Sequence, residues 1–439
     1  MALLDQVLCL LANSLCDNCL GRQFALLGHG FENDVRGKIL RSLLILEGYK
    51  LLFSDAEKAL TLLNRAFAEA NFRDSLNDAS VDPENATELE PLCYLCSGSF
   101  KETSKLTFHV VNALKDFEFS TFLVGIELPF EVIEREDEFK GRCQVSHSES
   151  MKSHFSRVIG KQVAFATGKP VNHLAPNIVA LVNPFVKSIT LQVNSLYVAG
   201  RYRKLVRGIP QSRWLCGECH GTGCVKCGWV GRKYADSIEE LIGIPVLRLA
   251  EGREIAFHGA GREDIDTLML GSGRPFVVEI KEPKKRFINL TTLQSEINDF
   301  AEGKIEVGVL AFADKDVVRR IKKAEASKKI YNAIVEFTRN ITAQELRRIE
   351  DVLCDSVIHQ QTPMRVLHRR ADLIREKHIY AAKLRRLSKR RAELKLHCQG
   401  GLYVKELISG DEGRTKPSLA SIIDAEAKSI QLDVLEVID

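Results

Sequence analysis

Apolar residues at helical spacing dominate the first ~70 positions of the chain. Leu60, Leu63, Ala66 and Phe67 follow Ser54-Asp55-Ala56-Glu57, a capping box in which a hydroxyl and a carboxylate satisfy free amides at a helix start. The stretch MALLDQVLCLLANSLCDNC reads as a helix: it lacks the basic start and small-residue cleavage site of a signal peptide. Residues 73–91, acidic and with two prolines, read as a loop. Between 105 and 133 the pattern alternates between strand-like and turn-like runs, with Leu106 to Val111 and Thr121 to Ile126 as strands. From Lys187 onward, SITLQVNSLYVAGRYRKLVR reads as two strands around a turn at Gly200. Further strands are expected at Arg274–Lys281, Ile305–Phe312, Tyr331–Thr338 and Ala392–Cys398. Helices lie between them, one opened by Ser237-Ile238-Glu239-Glu240 and another by Thr342-Ala343-Gln344-Glu345. Strands and helices mixed in this way predict an α+β fold on one large sheet.

A length of 439 residues suits two or three domains. The hydrophobic fraction of 45% is ordinary for a globular chain, and no apolar run approaches the ~18 residues of a membrane span. This gives a cytoplasmic protein as the expectation. Charge changes the picture because it is uneven. Residues 1–185 hold 18 Lys/Arg and 24 Asp/Glu, a net of −6; the remainder holds 44 and 34, a net of +10. The second half is therefore the candidate for contact with a polyanion. Its basic run 365–391 carries eleven Lys/Arg against Asp372 and Glu376, and reads as a phosphate-binding arm in preference to a solvated helix.

Twelve cysteines call for an explanation in a reducing compartment. Eight form four CxxC pairs, a spacing that indicates metal binding before disulfides. Cys216, Cys219, Cys224 and Cys227 make a compact quartet, CGECHGTGCVKC, whose four thiolates can close a tetrahedral structural zinc site with no open position for water. Cys16, Cys19, Cys93 and Cys96 can form a second site if the chain folds back on itself. Cys9, Cys143, Cys354 and Cys398 read as core or incidental thiols.

One loop carries chemistry. HGAGREDIDTLMLGSGRPFVVEI, residues 258–280, places Arg262, Glu263, Asp264 and Asp266 before a turn and an apolar strand. Composition alone allows a catalytic carboxylate, a metal site or a solvated turn, and favours the turn.

The motif set adds a resemblance. GREDID followed by LGSGRPF closely resembles the catalytic loop of the archaeal-type tRNA pseudouridine synthases that modify uridines 54 and 55. KKIYNAIV (328–335), QTPMRVLHRR (361–370), LYVKELISGDEGR (402–414) and GRYRKLVRGIPQSRW (200–214) also resemble segments of that family. The likeness covers 187–439 by motif. Over the amino-terminal half it rests on layout: two CxxC pairs around a helical unit, then a THUMP-like RNA-binding region. It implies an accessory domain over 1–185, with a helical zinc-binding unit to about 96 and a THUMP-like α/β region over about 97–185. It implies a catalytic domain over 186–439, with a mostly antiparallel central sheet and an inserted four-cysteine zinc knuckle at about 214–230. It implies Asp264 as the catalytic carboxylate. Arg262, Tyr331, Tyr403, Lys405, Arg369 and Arg370 would meet the substrate, with Lys405 as basic partner of the aspartate and Asp266 holding the loop. The expected partner is tRNA, at its elbow and TΨC arm, met by a monomer. Two structural zinc ions are expected and no cofactor for catalysis. Two rival readings remain: a non-enzymatic zinc-containing tRNA-binding protein, and another THUMP-linked enzyme such as a methyltransferase. The second would need a glycine-rich nucleotide loop, where this chain has Gly259-Ala260-Gly261 leading into acidic residues.

Overall fold

A computed structural model describes residues 3–28, 30–67, 92–323 and 327–438. The acidic stretch 73–91, expected as a loop, lies outside them. The chain divides into two units, Met1–Asn194 and Ser195–Asp439.

The first unit begins with α1 (Leu3–Leu10), α2 (Asp17–Gly21), α3 (Asn33–Leu51) and α4 (Ala56–Ala66). The cap of α4 is Asp55, one residue later than the sequence pattern suggested; its carboxylate accepts the Lys58 amide at 3.1 Å. Gly21 and Gly37 let α2 and α3 touch: a Cβ on Gly37 would lie 2.1 Å from the Asp17 carbonyl oxygen. The buried Arg41 guanidinium is met by the Asp17 carboxylate at 2.7 Å. The Cys16 and Cys93 pairs close against each other beside these helices.

α5 (Thr103–Leu114), β1 (Phe122–Ile126), α6 (Phe130–Arg142), α7 (Met151–Thr167), β2 (Ile178–Asn183) and β3 (Ser188–Val193) complete the unit. β1 and β2 are parallel, and β2 and β3 antiparallel. Two expectations are corrected here. Leu106–Val111 is helical: Leu106 and Val110 face the core four residues apart, so tertiary burial overrides the β propensity of the run. β3 pairs with β2, which carries the first unit to Asn194 and past the expected boundary at 185. A third correction concerns Cys9 and Cys143. They are 134 residues apart in sequence yet form a disulfide, with Cα atoms 5.8 Å apart.

The second unit is built on an eleven-stranded sheet. Its elements are β4 (Leu196–Lys204), α8 (Ile238–Ala250), β5 (Glu254–Gly259), β6 (Leu268–Lys281), α9 (Leu290–Phe300), β7 (Ile305–Val307), β8 (Ala311–Ala313), α10 (Lys315–Lys323) and β9 (Lys328–Phe337). α11 (Ala343–Leu353), β10 (Ser356–Gln361), β11 (Ile374–Arg386), β12 (Arg391–Cys398), α12 (Val404–Ser409), β13 (Thr415–Lys416), α13 (Leu419–Ile423) and β14 (Ala427–Ile438) follow. The strand order is 13-10-11-12-9-14-6-4-7, with β5 on β6 and β8 on β4. The α+β class with a mostly antiparallel sheet is borne out: among the described residues of this sheet only β14 and β6 run parallel, at Asp433↔Leu268 and Val434↔Met269. The capping boxes at Ser237 and Thr342 open α8 and α11 as expected.

Gly200 is not a turn. It lies inside β4, where a Cβ would come within 2.7 Å of Leu310 and 3.1 Å of the Phe276 ring, so close packing explains the glycine. The break between β3 and β4 falls at Asn194-Ser195. The basic run 365–391 is also not a helix; most of it forms the β11–β12 hairpin.

The parallel junction divides the apolar interior. One core packs α8 and α9 on β4, β6 and β7; the other packs α11, α12 and α13 on β9 to β12. A small cluster of Met269, Val434 and Val437, with Tyr331 against it, sits where the halves meet. The loop 260–267 emerges at that point.

Candidate active site

The loop before β6 is held in place mainly through its backbone. Lys204, fully buried on β4, donates to the carbonyl oxygens of Ile265 at 2.7 Å and Asp264 at 3.3 Å. Gln211 donates to the Gly261 carbonyl at 2.9 Å and Arg274 to that of Ala260 at 2.6 Å. Arg207 donates to the Asp266 carbonyl and pairs with Asp433 at 2.6 Å. Glu263 turns inward, between Arg274 at 2.8 Å and the Tyr202 hydroxyl at 2.8 Å. The Asp264 side chain, by contrast, points outward.

Asp264 opens into a cleft of about 450 Å³ lined by Trp214, Arg262, Tyr331, Arg365, Arg370, Tyr403 and Lys405, among others. Its carboxylate is 39% exposed, so a ligand can reach it. The Lys405 ammonium lies 3.2 Å from Asp264 and 3.0 Å from Asp266, bridging the two. Burial works against charge on both partners. The Lys405 ammonium nevertheless holds the Asp266 carboxyl below the usual range, and the two carboxylates push Lys405 upward. Lys405 therefore stays cationic at neutral pH. Tyr331, half-buried on β9, faces the same space; burial is the main reason its phenol is pushed up, so it remains protonated.

Each candidate read from sequence has a definite place. Arg262 lies over the Trp214 ring, 5.5 Å from its centroid. Tyr403 accepts a hydrogen bond from Arg370 at 2.9 Å. Arg369 belongs to the short 3-10 helix Met364–Arg369, and its side chain lies outside the described set. Sequence reasoning counted Arg365 in the basic phosphate-binding run and did not place it beside Asp264. Its Nε is held by the buried carboxylate of Glu406 at 2.6 Å, it leans over Tyr403, and its Nη1 reaches 3.6 Å from Asp264. The available signal was the adjacency of Glu406 to Lys405, but a contact across 41 residues is not visible in spacing. Trp214, Gln211 and Lys204 were missed for the same reason.

A larger cavity, about 1030 Å³, is lined by Glu336, Arg390, Ser418 and Asp424, among others. Neither the carboxylate loop nor Tyr331 borders it, and Glu336 is already paired with Arg391 and Lys428. Asp264, Lys405, Tyr331 and Tyr403 gather at the smaller cleft.

Both cysteine quartets fit a tetrahedral ion. Four sulfurs at ~2.3 Å from zinc lie about 3.8 Å from one another. Cys216–Cys224 and Cys219–Cys227 are 3.8 Å apart, Cys224–Cys227 3.7 Å and Cys16–Cys96 3.6 Å. Backbone amides of Gly223 and Gly231 donate to the Cys219 and Cys227 sulfurs at 3.2 Å, as suits thiolate ligands. Gly223, with φ +92°, brings its backbone against Trp229 and leaves no room for a side chain.

Lys204 gives a pH-dependent prediction. Burial lowers its ammonium to about 8, against the pull of Glu263, Asp266 and Asp264. An unfolded lysine titrates near ~10.4, so the unfolded state binds the extra proton between about 8 and ~10.4 and stability attributable to this group rises across that window. Lys204→Met lacks that slope. In urea denaturation, the wild type is expected to gain stability relative to the variant from about pH 8 to about pH 10. Turnover of the variant should fall about tenfold or more, because two loop carbonyls lose their donor. Parallel pH curves would count against the buried ammonium.

Comparisons with known proteins identify the family of this chain. The family described as "Pus10, C-terminal" matches residues 197–438, and "Pus10 THUMP domain, archaeal" matches 107–183. The tRNA pseudouridine synthase Pus10 of Methanothrix thermoacetophila is 39% identical over 96% of this chain and 91% of its own length. That of Methanocaldococcus jannaschii is 42% identical over 97% and 92%. Among solved structures, a Cbf5-Nop10-Gar1 complex overlaps 46% of this chain and 45% of its own, at 11% identity and a TM-score of 0.29. The family matches and the named relatives define a tRNA pseudouridine synthase. The chain belongs to the Pus10 family.

Proposed function

We propose that this enzyme isomerises uridines 54 and 55 in the TΨC loop of tRNA to pseudouridine, with Asp264 as its catalytic carboxylate. The observation that carries the reading is the half-exposed Asp264 carboxylate between Lys405 and Arg365, facing Tyr331 in one cleft. The relatives' names supply tRNA as substrate. The positions within tRNA rest on the resemblance of the catalytic loop, and the protein would meet tRNA at its elbow in the cytoplasm.

Isomerisation breaks the N1–C1′ bond, turns the base and joins C5 to C1′. The target must leave its stack, at a cost of a few kcal/mol. Arg262, which lies over the Trp214 ring, would take the vacated place. Two routes use the same carboxylate: attack on C1′, or removal of a proton from C2′, as uracil departs with the bonding electrons. Lys405 and Arg365 face the negative charge that develops on the base. Tyr331 offers a ring face for stacking and a phenol that donates. C5 then bonds to C1′, displacing Asp264 from C1′ in the first route and with the proton returning from Asp264 to C2′ in the second; C5 afterwards loses its own proton and N1 gains one. Atoms and charge balance, so neither a redox partner nor a group donor is required.

The two quartets would each hold a structural zinc ion, with Cys16, Cys19, Cys93 and Cys96 in one and Cys216, Cys219, Cys224 and Cys227 in the other. Thiolates without an open coordination position favour zinc in a structural role. The test of function is incubation of the protein with a uridine-containing tRNA transcript, followed by carbodiimide-primer extension. Stops are expected at 54 and 55 only. An unmodified transcript would sink the enzymatic reading and favour a tRNA-binding protein; stops elsewhere would sink the choice of positions.

A further inference from the structure

Helix α10, KDVVRRIKK, holds five cations and one carboxylate in nine residues, a net of +4 that equals the net charge of the whole chain. Val318 is buried against the sheet, and Val317 and Ile321 are half-buried, which turns the other side outward. On that side Lys315, Arg319, Lys322 and Lys323 fall at i, i+4, i+7 and i+8, in one row, with Arg320 at its margin.

This row is costly to the fold. Like charges three and four apart destabilise a helix by a few tenths of a kcal/mol per pair, and a nine-residue helix is marginal by itself. The local carboxylates do not relieve the repulsion. Asp314 accepts the amides of Asp316 and Val317 at 2.9 Å, Asp316 is taken by Arg319, and Glu254 on the neighbouring β5 is taken by Lys281. Lys315, Arg320, Lys322 and Lys323 have no carboxylate partner among the described residues. Other cations of the same unit are paired: Arg232, Arg248, Arg339 and Arg391 each face a glutamate within 3.2 Å. Even the β11–β12 hairpin, expected to be the phosphate-binding arm, commits Arg385 and Arg391 to Glu393 and Glu336.

We propose that α10 is an RNA-backbone docking helix, whose outward cations Lys315, Arg320, Lys322 and Lys323, unpaired among the described residues, engage phosphates of the tRNA away from the base being isomerised. The inference rests on the proposed function and adds a surface that the catalytic motifs do not contain. Its residues line neither the Asp264 cleft nor the larger cavity. Neutralising them should therefore change affinity and KM while leaving the rate at saturating tRNA in place.

The test uses the full-length, zinc-loaded protein and a tRNA transcript. The variant Lys315→Gln/Arg320→Gln/Lys322→Gln/Lys323→Gln is titrated by fluorescence anisotropy across KCl concentrations. Each lost phosphate contact lowers the log–log salt slope by ~0.7 to 0.9, so the loss of four contacts is expected to lower it by about 3, with affinity at least about tenfold weaker at low salt. The control Arg203→Gln/Arg232→Gln/Arg248→Gln/Arg339→Gln removes the same charge from cations already paired with carboxylates, and its slope should move far less. Lys315→Arg/Lys322→Arg/Lys323→Arg should bind as the wild type does. The glutamine variant should melt no lower than the wild type, because it loses only mutual repulsion. An unchanged slope in the glutamine variant, or an equal change in the control, overturns the docking role while wild-type activity stands. A wild-type protein that neither binds nor modifies tRNA brings down the proposed function and this inference together.

Discussion

Asp264→Ala is expected to leave no measurable pseudouridine in tRNA, a loss on the order of 10⁴-fold or more, as when a nucleophile or base acting in concert with its site is removed. Affinity for tRNA should stay within about twofold. The two expectations separate because the Asp264 side chain takes no part in holding its own loop. Among the described residues its carboxylate pairs with Lys405 and Arg365, at 3.2 and 3.6 Å, whereas the loop hangs on its backbone carbonyls through Lys204, Gln211, Arg207 and Arg274. Asp266→Ala is the internal comparison. Asp266 shares the Lys405 ammonium but is more open, and its removal leaves Lys405 paired with Asp264. It should retain activity within about a hundredfold of wild type. The measurement is single-turnover release of tritium to water from tRNA labelled at uridine C5, beside a binding isotherm for each variant. Activity in a folded Asp264→Ala protein would refute the assignment, and a dead Asp266→Ala with an active Asp264→Ala would exchange the two roles.

What the sequence revealed of this site follows from how local each interaction is. Asp264, Tyr331 and Lys405 stand in short motifs, so the resemblance reached them one by one. The capping boxes at Ser237 and Thr342 were legible because their bonds close within three residues. Arg365 became visible only when α12 brought Glu406 beside it. Lys204 read as one more strand lysine until the sheet buried it under the loop 260–267. Misreadings have the same origin. LTFHVV has the β-branched, apolar look of a strand, and only its packing on α7 makes it a helix. Gly200 looked like a turn because close approach by Phe276 and Leu310 leaves no trace in spacing. The Cys9–Cys143 pairing is separated by 134 residues and carries no motif.

Metal content is where the second large effect is expected. Full-length protein should contain two zinc ions per chain, and Cys93→Ser/Cys96→Ser one. The first quartet joins two segments far apart in sequence: Cys16 and Cys19 at the start of α2, and Cys93 and Cys96 just before α5. Cys19, Cys93 and Cys96 are buried within the same core as Leu10, Leu15, Leu20, Leu95 and Phe100. Losing the ion there would leave thiols where ligands were, and would release the packing that the closed quartet imposes. Structural zinc supplies on the order of 10 kcal/mol to a small unit, as large as the whole stability of many domains. The amino-terminal unit of the double variant should accordingly unfold at ordinary temperatures, seen as lost amide protection over 3–66 and 92–194. The catalytic unit has its own cores and its own quartet, so protection of the sheet strands β6, β9 and β14 should persist, and with it the geometry around Asp264. Modification of whole tRNA should fall steeply, because the net-acidic first unit, which carries the THUMP match, is expected to read tRNA shape and not to attract it by charge. Elemental analysis finding one metal or none in well-folded wild-type protein would refute the two-site reading. Full protection of the first unit in the zinc-depleted double variant would show that its helices hold together without the ion.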